Sequence, residues 1–334
     1  MHRAIFLLLA ASAAGAALDL AAPREPFHAV ILSLENDKFF AGSDRHYTQG
    51  GRLTYLYDSG PRSRLTTAVR NWLDQLPVDL AAAKLSVAIG QDMFTPEDTS
   101  VVALVPEDRP YAAWAYLALG FHAISERDSL HVEFSTGIVG PSARGEEFQN
   151  GWHDVMSWFS KHFDDGHVVE HAAGWANQLH DEPGCNLALE WRHRLRPATW
   201  FDAVPRTAVM LGNVQTHLSA GGALRFGPQL PDDFGHDLIR AGNGDVARPV
   251  PGFRAYFFAS ADARLVGRNI FLDGNTWRHS HSVRKRPVVA DLNLGCTLGW
   301  RSWRFVYTQN YRTKEFYGQK NRDVFGSLSI IHLR

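Results

Sequence analysis

The clearest pattern in the chain is an alternation of apolar and polar positions that begins at Ala290. One set of alternate positions is mostly apolar and comprises Ala290, Leu292, Leu294, Cys296, Leu298 and Trp300, while the positions between them are polar or glycine. After Arg301 and Ser302 the alternation resumes as far as Tyr307. A period of two residues predicts β-strands with one apolar face. We therefore interpret this segment as a β-hairpin with a two-residue turn.

Weaker alternation elsewhere extends this prediction to an all-β chain. It occurs in residues 51–57, 131–137, 186–192 and 324–333. A soluble sandwich also alternates, but Trp300 and Trp303 lie at the turn of the hairpin, where a membrane barrel has its aromatic girdle. The fold expected is an all-β transmembrane antiparallel β-barrel. At roughly 9–11 residues per strand plus loops, the chain accommodates about 12 strands.

The first residues of the chain predict where the protein is located in the cell. Met1, His2 and Arg3 form a short positive start, residues 4–13 are apolar, and Ala14, Gly15 and Ala16 are small. This order is typical of a secretory signal peptide. The apolar run is shorter than the roughly 20 residues of a membrane-spanning helix. We expect residues 1–17 to be a cleaved signal peptide and residues 18–334 to form one exported domain in the bacterial outer membrane.

Composition excludes several classes of function. Lys and Arg number 34 and Asp and Glu 35, for a net charge of -1, so no basic excess exists to bind nucleic acid. Hydrophobic residues make up 45% of the chain, which excludes a disordered protein. The two cysteines, Cys185 and Cys296, are too few for a disulfide framework or a four-cysteine zinc site.

One segment departs from the strand pattern. Between Pro141 and Phe163 the alternation disappears, and apolar residues recur every three or four positions at Phe148, Trp152, Val155 and Phe159. This period predicts one amphipathic helix. Gln149 and His153 are four residues apart and would project from the same side of it. A helical histidine alone is more often structural than catalytic.

A second group of polar residues lies early in the chain. Glu35, Asn36 and Asp37 are followed by a polar stretch at 44–50 that includes Thr48 and Gly50. Carboxylate, amide and hydroxyl oxygens are the hard ligands that calcium prefers. A solvated Asn-Asp turn would give the same local pattern, so the spacing leaves both interpretations open.

Together these motifs resemble one family. The chain carries END at 35–37, DRHYTQG at 44–50, GQDMFTP at 90–96, DRPYA at 108–112 and GPSARGE at 140–146, followed by Gln149 and His153. Later blocks are DGNT at 273–276, SHSV at 280–283 and YRTKEF at 311–316. In this order they closely resemble the outer-membrane lipid A 3′-O-deacylases, the LpxR-like family. Each motif is weak alone, but the ordered set covers nearly the whole chain.

The resemblance implies a twelve-stranded barrel with a calcium-dependent esterase site between the barrel wall and a helix. Such enzymes hydrolyse the ester of the 3′-linked acyloxyacyl chain of lipid A. The catalytic positions then fall on Asn36, Asp37, Thr48, Gln149 and His153. The resemblance also implies a Ca2+ ion held by Asp37, Thr48 and Gly50. Phe159 stands where the family has an acidic residue.

The chemistry of these residue types fits ester hydrolysis. His153 is the natural base for activating water, and Ca2+ would polarise the carbonyl. Direct attack by Thr48, with His153 as its base, is the alternative nucleophile.

The expected partners are the lipid A part of lipopolysaccharide as substrate and outer-membrane lipid, with no nucleic acid, and we expect a monomer. Two other functions stay open: a non-enzymatic, porin-like barrel, and an esterase that acts on phospholipid. A phospholipid esterase would use a Ser-His-Asn arrangement, and the sequence shows no clear motif for its nucleophilic serine.

Overall fold

The computed structural model describes residues 27–36, 46–59, 63–73, 82–163, 168–228, 230–235 and 252–334. The predicted signal peptide and Asp37 lie outside these residues. Thirteen strands form one antiparallel sheet. They are β1 (Phe27–Asn36), β2 (His46–Asp58), β3 (Ala82–Thr95), β4 (Ala112–Ile124), β5 (Asp128–Val139), β6 (Glu182–His193), β7 (Leu195–Ala198), β8 (Phe201–Gly212), β9 (Gln215–Phe226), β10 (Phe253–Asn269), β11 (Val288–Trp300), β12 (Trp303–Arg312) and β13 (Asp323–Leu333).

The sheet closes into a barrel. β1 pairs with β13, and β6 pairs with β8, so that twelve strands form a continuous ring. The short strand β7 pairs only with β8 and lies beside the ring. Closure leaves no long edge strand whose backbone groups lack partners, as a bilayer requires. The predicted fold, an antiparallel barrel of about twelve strands, is confirmed.

The hairpin predicted from the alternation is β11 and β12. Trp300 pairs with Trp303 across the two-residue turn, and Arg301 in that turn has φ 53°. Cys296 lies on the outward face of β11, and both Cys296 and Cys185 are free thiols.

The two faces of the wall have opposite character. Outward positions carry large exposed apolar side chains along the strands, among them Val30, Leu32, Leu53, Tyr55, Leu85, Val87, Ile89, Leu117, Leu119, Leu292 and Leu294. The positions between them point into the lumen and are largely polar, such as Arg52, Thr54, Ser86, Arg206 and Asp262. An apolar outer band around a polar interior is the arrangement of an outer-membrane barrel.

Ion pairs cross the lumen. Arg52 lies 2.7 Å from Glu133, Arg206 lies 2.9 Å from Asp262, and Arg225 lies 2.6 Å from Asp202. The six side chains are nearly inaccessible to solvent. Each charge is therefore balanced by an opposite charge on another strand, and these contacts connect the strands of the wall from inside.

Three helices accompany the barrel: α1 (Arg64–Leu73), α2 (Gly145–Phe163) and α3 (Ile270–Asp273). Helix α2 is the amphipathic helix expected between Pro141 and Phe163. No helix in the described ranges is long and apolar enough to cross a bilayer.

Four long connections lie at one end of the barrel, which we name the long-loop end. They are residues 96–111, 140–181, 270–287 and 313–322. The opposite end has the tight connections 125–127 and 301–302 and the longer connections 59–81 and 227–252. Outer-membrane barrels have long loops outside the cell and short turns in the periplasm. Strand β1 ends, and α2 begins, at the long-loop end.

Candidate active site

The outward face of β1 changes character where the strand ends. Val30 and Leu32 on this face are 43% and 38% exposed, but Asn36 on the same face is only 5% exposed. The pairing of β1 with both neighbours is continuous, so no bulge turns Asn36 toward the lumen. Its neighbour Glu35 faces the opposite way and lines the lumen. Asn36 is thus a polar side chain buried on the outside of the barrel.

The strand register places Asn36 in a row of outward-facing residues on the outer wall. The row consists of Asn36 in β1, Gln49 in β2, Met93 in β3 and Ala113 in β4. Adjacent strands lie about 4.8 Å apart, so the row spans about 14 Å of the wall. The early polar motif and the segment carrying GQDMFTP therefore meet at the long-loop end.

A β-bulge turns Thr48 onto this outer face. The register of β2 against β3 shifts between Tyr47 and Gln49, which leaves Thr48 as the extra residue. The Oγ1 atom of Thr48 lies 2.6 Å from Oγ1 of Thr95, and both residues are buried. Bulges commonly re-aim a side chain in this way. Thr48 directly precedes Gln49, which pairs with Asn36 of β1.

Helix α2 begins directly against the outer wall. The chain leaves β5 through Gly140, whose φ of 110° favours glycine, and makes a short turn at Pro141–Ala143. A Cβ atom added at Gly145 would lie 2.6 Å from Cβ of Ala113 and 2.5 Å from the Trp175 ring. Only glycine permits so close an approach of the helix to β4.

An apolar cluster fixes the helix region on the wall. Its buried members are Met93, Tyr111, Ala113, Ala143, Ala172 and Trp175. Met93 and Ala113 face outward from their strands, so the cluster lies outside the barrel. Nε2 of Gln91 also donates to the Ala143 carbonyl at 2.5 Å. The loops at this end thus form a lid over part of the outer wall.

Gln149 lies on the inner side of α2 and is only 1% exposed. Nε1 of Trp175 donates to its Oε1 atom at 2.8 Å, which fixes the orientation of the amide. The Nε2 atom is buried and has no hydrogen-bond partner among the described residues. Leaving a buried donor unpaired costs about 1–3 kcal/mol. Such a donor is well placed for an acceptor on a bound molecule.

His153 lies one turn further along the same side of the helix and is equally buried. Its Nδ1 atom lies 2.6 Å from the carbonyl oxygen of Glu170. A carbonyl can only accept, so Nδ1 carries the proton and the lone pair is on Nε2. This contact fixes both the ring and its tautomer, as a general base requires.

The expected metal site is only partly within the described residues. Asp37, which would supply its carboxylate, lies outside them. Gly50 faces the lumen and could reach the outer face only through its backbone. No group of three or more His, Cys, Asp or Glu suited to a metal occurs in the described part of the chain. The buried oxygens of Asn36 and Thr48 nevertheless are of the hard type that calcium accepts.

Sequence reasoning missed three contributors. Trp175 orients Gln149, the Glu170 carbonyl orients His153, and Thr95 bonds Thr48. Thr95 belongs to the GQDMFTP motif, so its position could have been noticed. Trp175 and Glu170 lie in an irregular segment, where no periodicity indicates which residue contacts the helix.

The lumen holds a separate recess of about 1040 Å³ that opens to solvent. Its lining is charged with both signs, including Glu35, Arg52, Asp92, Arg264, Asp291, Arg312 and Glu315. Burial alone would raise the pKa of Glu315, but Arg109 and Arg312 lower this pKa to about 2. Arg109 lies 2.6 Å from Glu315 and joins the 96–111 loop to the 313–322 loop. The charges here are largely matched by one another.

Comparisons with known proteins identify a family and a similar fold. The model of the family described as outer membrane protein LpxR matches residues 4–333. The solved structure of LpxR from Salmonella typhimurium is 19% identical, has a TM-score of 0.72, and covers 91% of this chain and 99% of that one. The β-domain of the Bordetella autotransporter BrkA is 10% identical, with a TM-score of 0.43, and covers 92% of this chain and 98% of that one. A search of curated proteins finds no match.

Proposed function

The chain belongs to the LpxR family of outer membrane proteins, and from this membership we propose that it is a lipid A deacylase that hydrolyses the ester of the 3′-linked acyloxyacyl chain. One observation carries the proposal: Gln149 and His153 are buried between α2 and the outer wall. A site on the outside of the barrel is open to a membrane lipid, which need not enter the lumen. We propose that the site meets the outer leaflet, and its position at the end with four long loops supports this orientation.

His153 acts as the general base. Its Nε2 atom takes a proton from water, and the resulting hydroxide attacks the ester carbonyl carbon. The tetrahedral intermediate then collapses, the bond to the sugar oxygen breaks, and His153 returns the proton to that oxygen. The products are the free acyloxyacyl acid and the sugar hydroxyl. The Glu170 carbonyl holds the ring in the required tautomer throughout.

Gln149 stabilises the oxyanion. Its Nε2 donor has no partner among the described residues, and the bond from Trp175 to Oε1 fixes the amide before any substrate binds. Little reorganisation is therefore needed as negative charge develops. Asn36, buried on the same outer wall, orients the substrate or adds a second donor.

Thr48 positions the attacking water. Its hydroxyl already shares a hydrogen bond with Thr95, which suits a group that orients another molecule. The alternative, in which Thr48 attacks and forms an acyl-enzyme, predicts that a Thr48→Ser variant is active and that Thr48→Ala has no activity. Water attack predicts that Thr48→Ala keeps a measurable rate.

The proposal includes a Ca2+ ion near Asn36 and Thr48, with Asp37 as its carboxylate ligand and Gly50 as a backbone ligand. A bound calcium ion would polarise the ester carbonyl as a Lewis acid. Support comes from the type of the described donors, which are neutral oxygens at the buried end of β1 and at the bulge of β2. We also propose that the protein acts as a monomer.

The test uses the purified full-length protein in detergent with hexa-acylated lipid A. Mass spectrometry should show loss of the 3′-linked acyloxyacyl chain and release of the corresponding acid. Chelation should abolish the reaction, and calcium should restore it better than magnesium because calcium accepts a larger oxygen shell. Unchanged lipid A would indicate a porin-like barrel. Fatty acid released from phosphatidylethanolamine instead would indicate a phospholipid esterase.

A further inference from the structure

Helix α2 has three sides of different character. The side facing the wall carries Gly145, Gln149 and His153, which are all buried. At 100° per residue, one flank carries Phe148, Trp152, Val155 and Phe159, and the other carries Glu146, Glu147, Asn150, Asp154, Ser157 and Lys161. One flank is thus wholly apolar and the other wholly polar.

The described part of the returning segment follows the polar flank. The backbone amide of Ala172 donates to Asn150, and that of Val169 donates to Ser157 at 2.9 Å. The side chain of His171 contacts Asp154 at 2.8 Å. Residues 169–172 therefore follow the polar flank for about two turns.

The apolar flank includes exposed side chains. Phe148 is 58% exposed and Val155 44%, although both are large and apolar. A helix in water would cover such a stripe with the returning chain, because each exposed ring costs free energy. Here residues 169–172 cover the polar flank instead, where burial would gain the least free energy.

We propose that the apolar flank of α2 inserts among the acyl chains of the outer-membrane lipids, so that the helix lies in the membrane interface. The wall on which the helix rests continues into the lipid-facing band of the barrel. The helix rests on the wall beside Met93 and Ala113, and the same strands continue outward-facing as Ile89 and Leu117, which are 57% and 58% exposed. Helices with separate apolar and charged faces lie in the interface in this way.

The position of Trp158 supports the placement of α2 in the membrane interface. It is exposed on the side of the helix that faces away from the wall, at the border between the two flanks. Tryptophan is enriched at the level of the lipid headgroups. The polar flank, with Glu147 and Asp154, then faces water.

Spin labelling of the full-length barrel tests the proposal. Cys185 and Cys296 are replaced by serine, and a nitroxide is attached to single cysteines introduced as Phe148→Cys or Val155→Cys. The adjacent Glu147→Cys and Asp154→Cys variants are matched controls on the opposite flank. The proteins are reconstituted into vesicles of phosphatidylethanolamine and phosphatidylglycerol, and heat-modifiable gel mobility confirms that each barrel has folded.

Collisions with oxygen, which concentrates in lipid, are compared with collisions with a water-soluble nickel chelate. Labels at 148 and 155 should have a several-fold higher ratio of oxygen to nickel accessibility than labels at 147 and 154. Equal ratios on the two flanks would overturn the proposal. Spectral broadening at 148 or 155 that disappears on dilution with unlabelled protein would also overturn it, because it would show that a second copy covers the flank.

Discussion

Polar groups are buried in two regions of this barrel, and Arg225 in the lumen and Gln149 on the outer wall differ in how their hydrogen-bonding groups are satisfied. In the lumen, Arg225 is 1% exposed and bonds both Asp202 and Asp233. On the outer wall, Gln149 is equally buried, yet its Nε2 atom has no partner in the described part of the chain.

This difference distinguishes a structural role for Arg225 from a functional role for Gln149. A buried charge with its counterions in place holds strands together, and removing one partner leaves the others uncompensated. A buried neutral group held by one orienting bond, with a donor to spare, is prepared for a ligand. Buried atoms without a hydrogen-bond partner among the described residues also occur in the lumen, for example at Asn186 and Asn293. The site is therefore indicated by the position of the Gln149 donor one helical turn from His153 on the outer wall.

A large effect is expected from Gln149→Glu. The carboxylate keeps an acceptor for Trp175 but removes the donor and places negative charge where the oxyanion forms. Loss of one oxyanion donor costs about 10²–10³-fold in kcat. The rate of acid release should fall by at least this factor, while heat-modifiable mobility stays unchanged. Retention of a tenth of the activity would assign Gln149 a packing role.

A smaller effect is expected from Trp175→Phe, which keeps an aromatic ring but removes the donor to Gln149. A lost hydrogen bond of about 1.4 kcal/mol corresponds to about tenfold in kcat, with little change in KM. In a Gln149→Leu background the same substitution should have little further effect, because Trp175 acts through Gln149. Additive losses in the double variant would contradict a positioning role.

Arg225→Met should change stability rather than activity. It leaves Asp202 and Asp233 without their shared counterion, at a cost of about 3–5 kcal/mol. The temperature at which the barrel changes gel mobility should fall, while the activity of the folded fraction stays at the unaltered level. A loss of activity as large as that of Gln149→Glu would erase the distinction between the two regions.

The smallest effect is expected on thermal stability when the pH is lowered. Because the pKa of Glu315 is lowered from 4.5 to about 2, its stabilising contribution is complete above about pH 4.5 and is lost as the pH falls toward 2. Gel mobility should therefore become more heat-sensitive across this window, and Glu315→Gln should flatten the dependence. An identical pH profile in the variant would show that other groups control it.

Much of the fold could be predicted from local pattern. The alternation from Ala290 to Tyr307 identified β11, β12 and their turn, because every second side chain of a barrel strand meets lipid. The loss of alternation after Pro141 identified α2. The bulge at Thr48 could not be foreseen, because a shift of register depends on the partner strand.

The site was predicted less completely, for a related reason. Gln149 and His153 share a helix side by spacing alone, so the sequence placed them together. Their orienting partners, Trp175 and Glu170, are 26 and 17 residues distant in the chain and come from an irregular segment. Nothing local marks such contacts, and the local sequence does not indicate that Asn36 is buried at an outward-facing position of β1.

The most direct test of the central claim compares His153→Asn with His217→Asn. Both histidines are buried, but His153 lies at the outer wall and His217 lines the lumen recess. His162→Asn is a second control, because His162 is an exposed histidine on the same helix whose Nδ1 atom also contacts a backbone carbonyl. Each variant is checked for folding by heat-modifiable mobility, and release of the 3′-linked chain from lipid A is followed by mass spectrometry. We expect His153→Asn to lose about 10²–10⁴-fold in rate and both controls to keep nearly full activity. More than about a tenth of the activity in His153→Asn, or an equal loss in His217→Asn, would contradict a catalytic site on the outer wall.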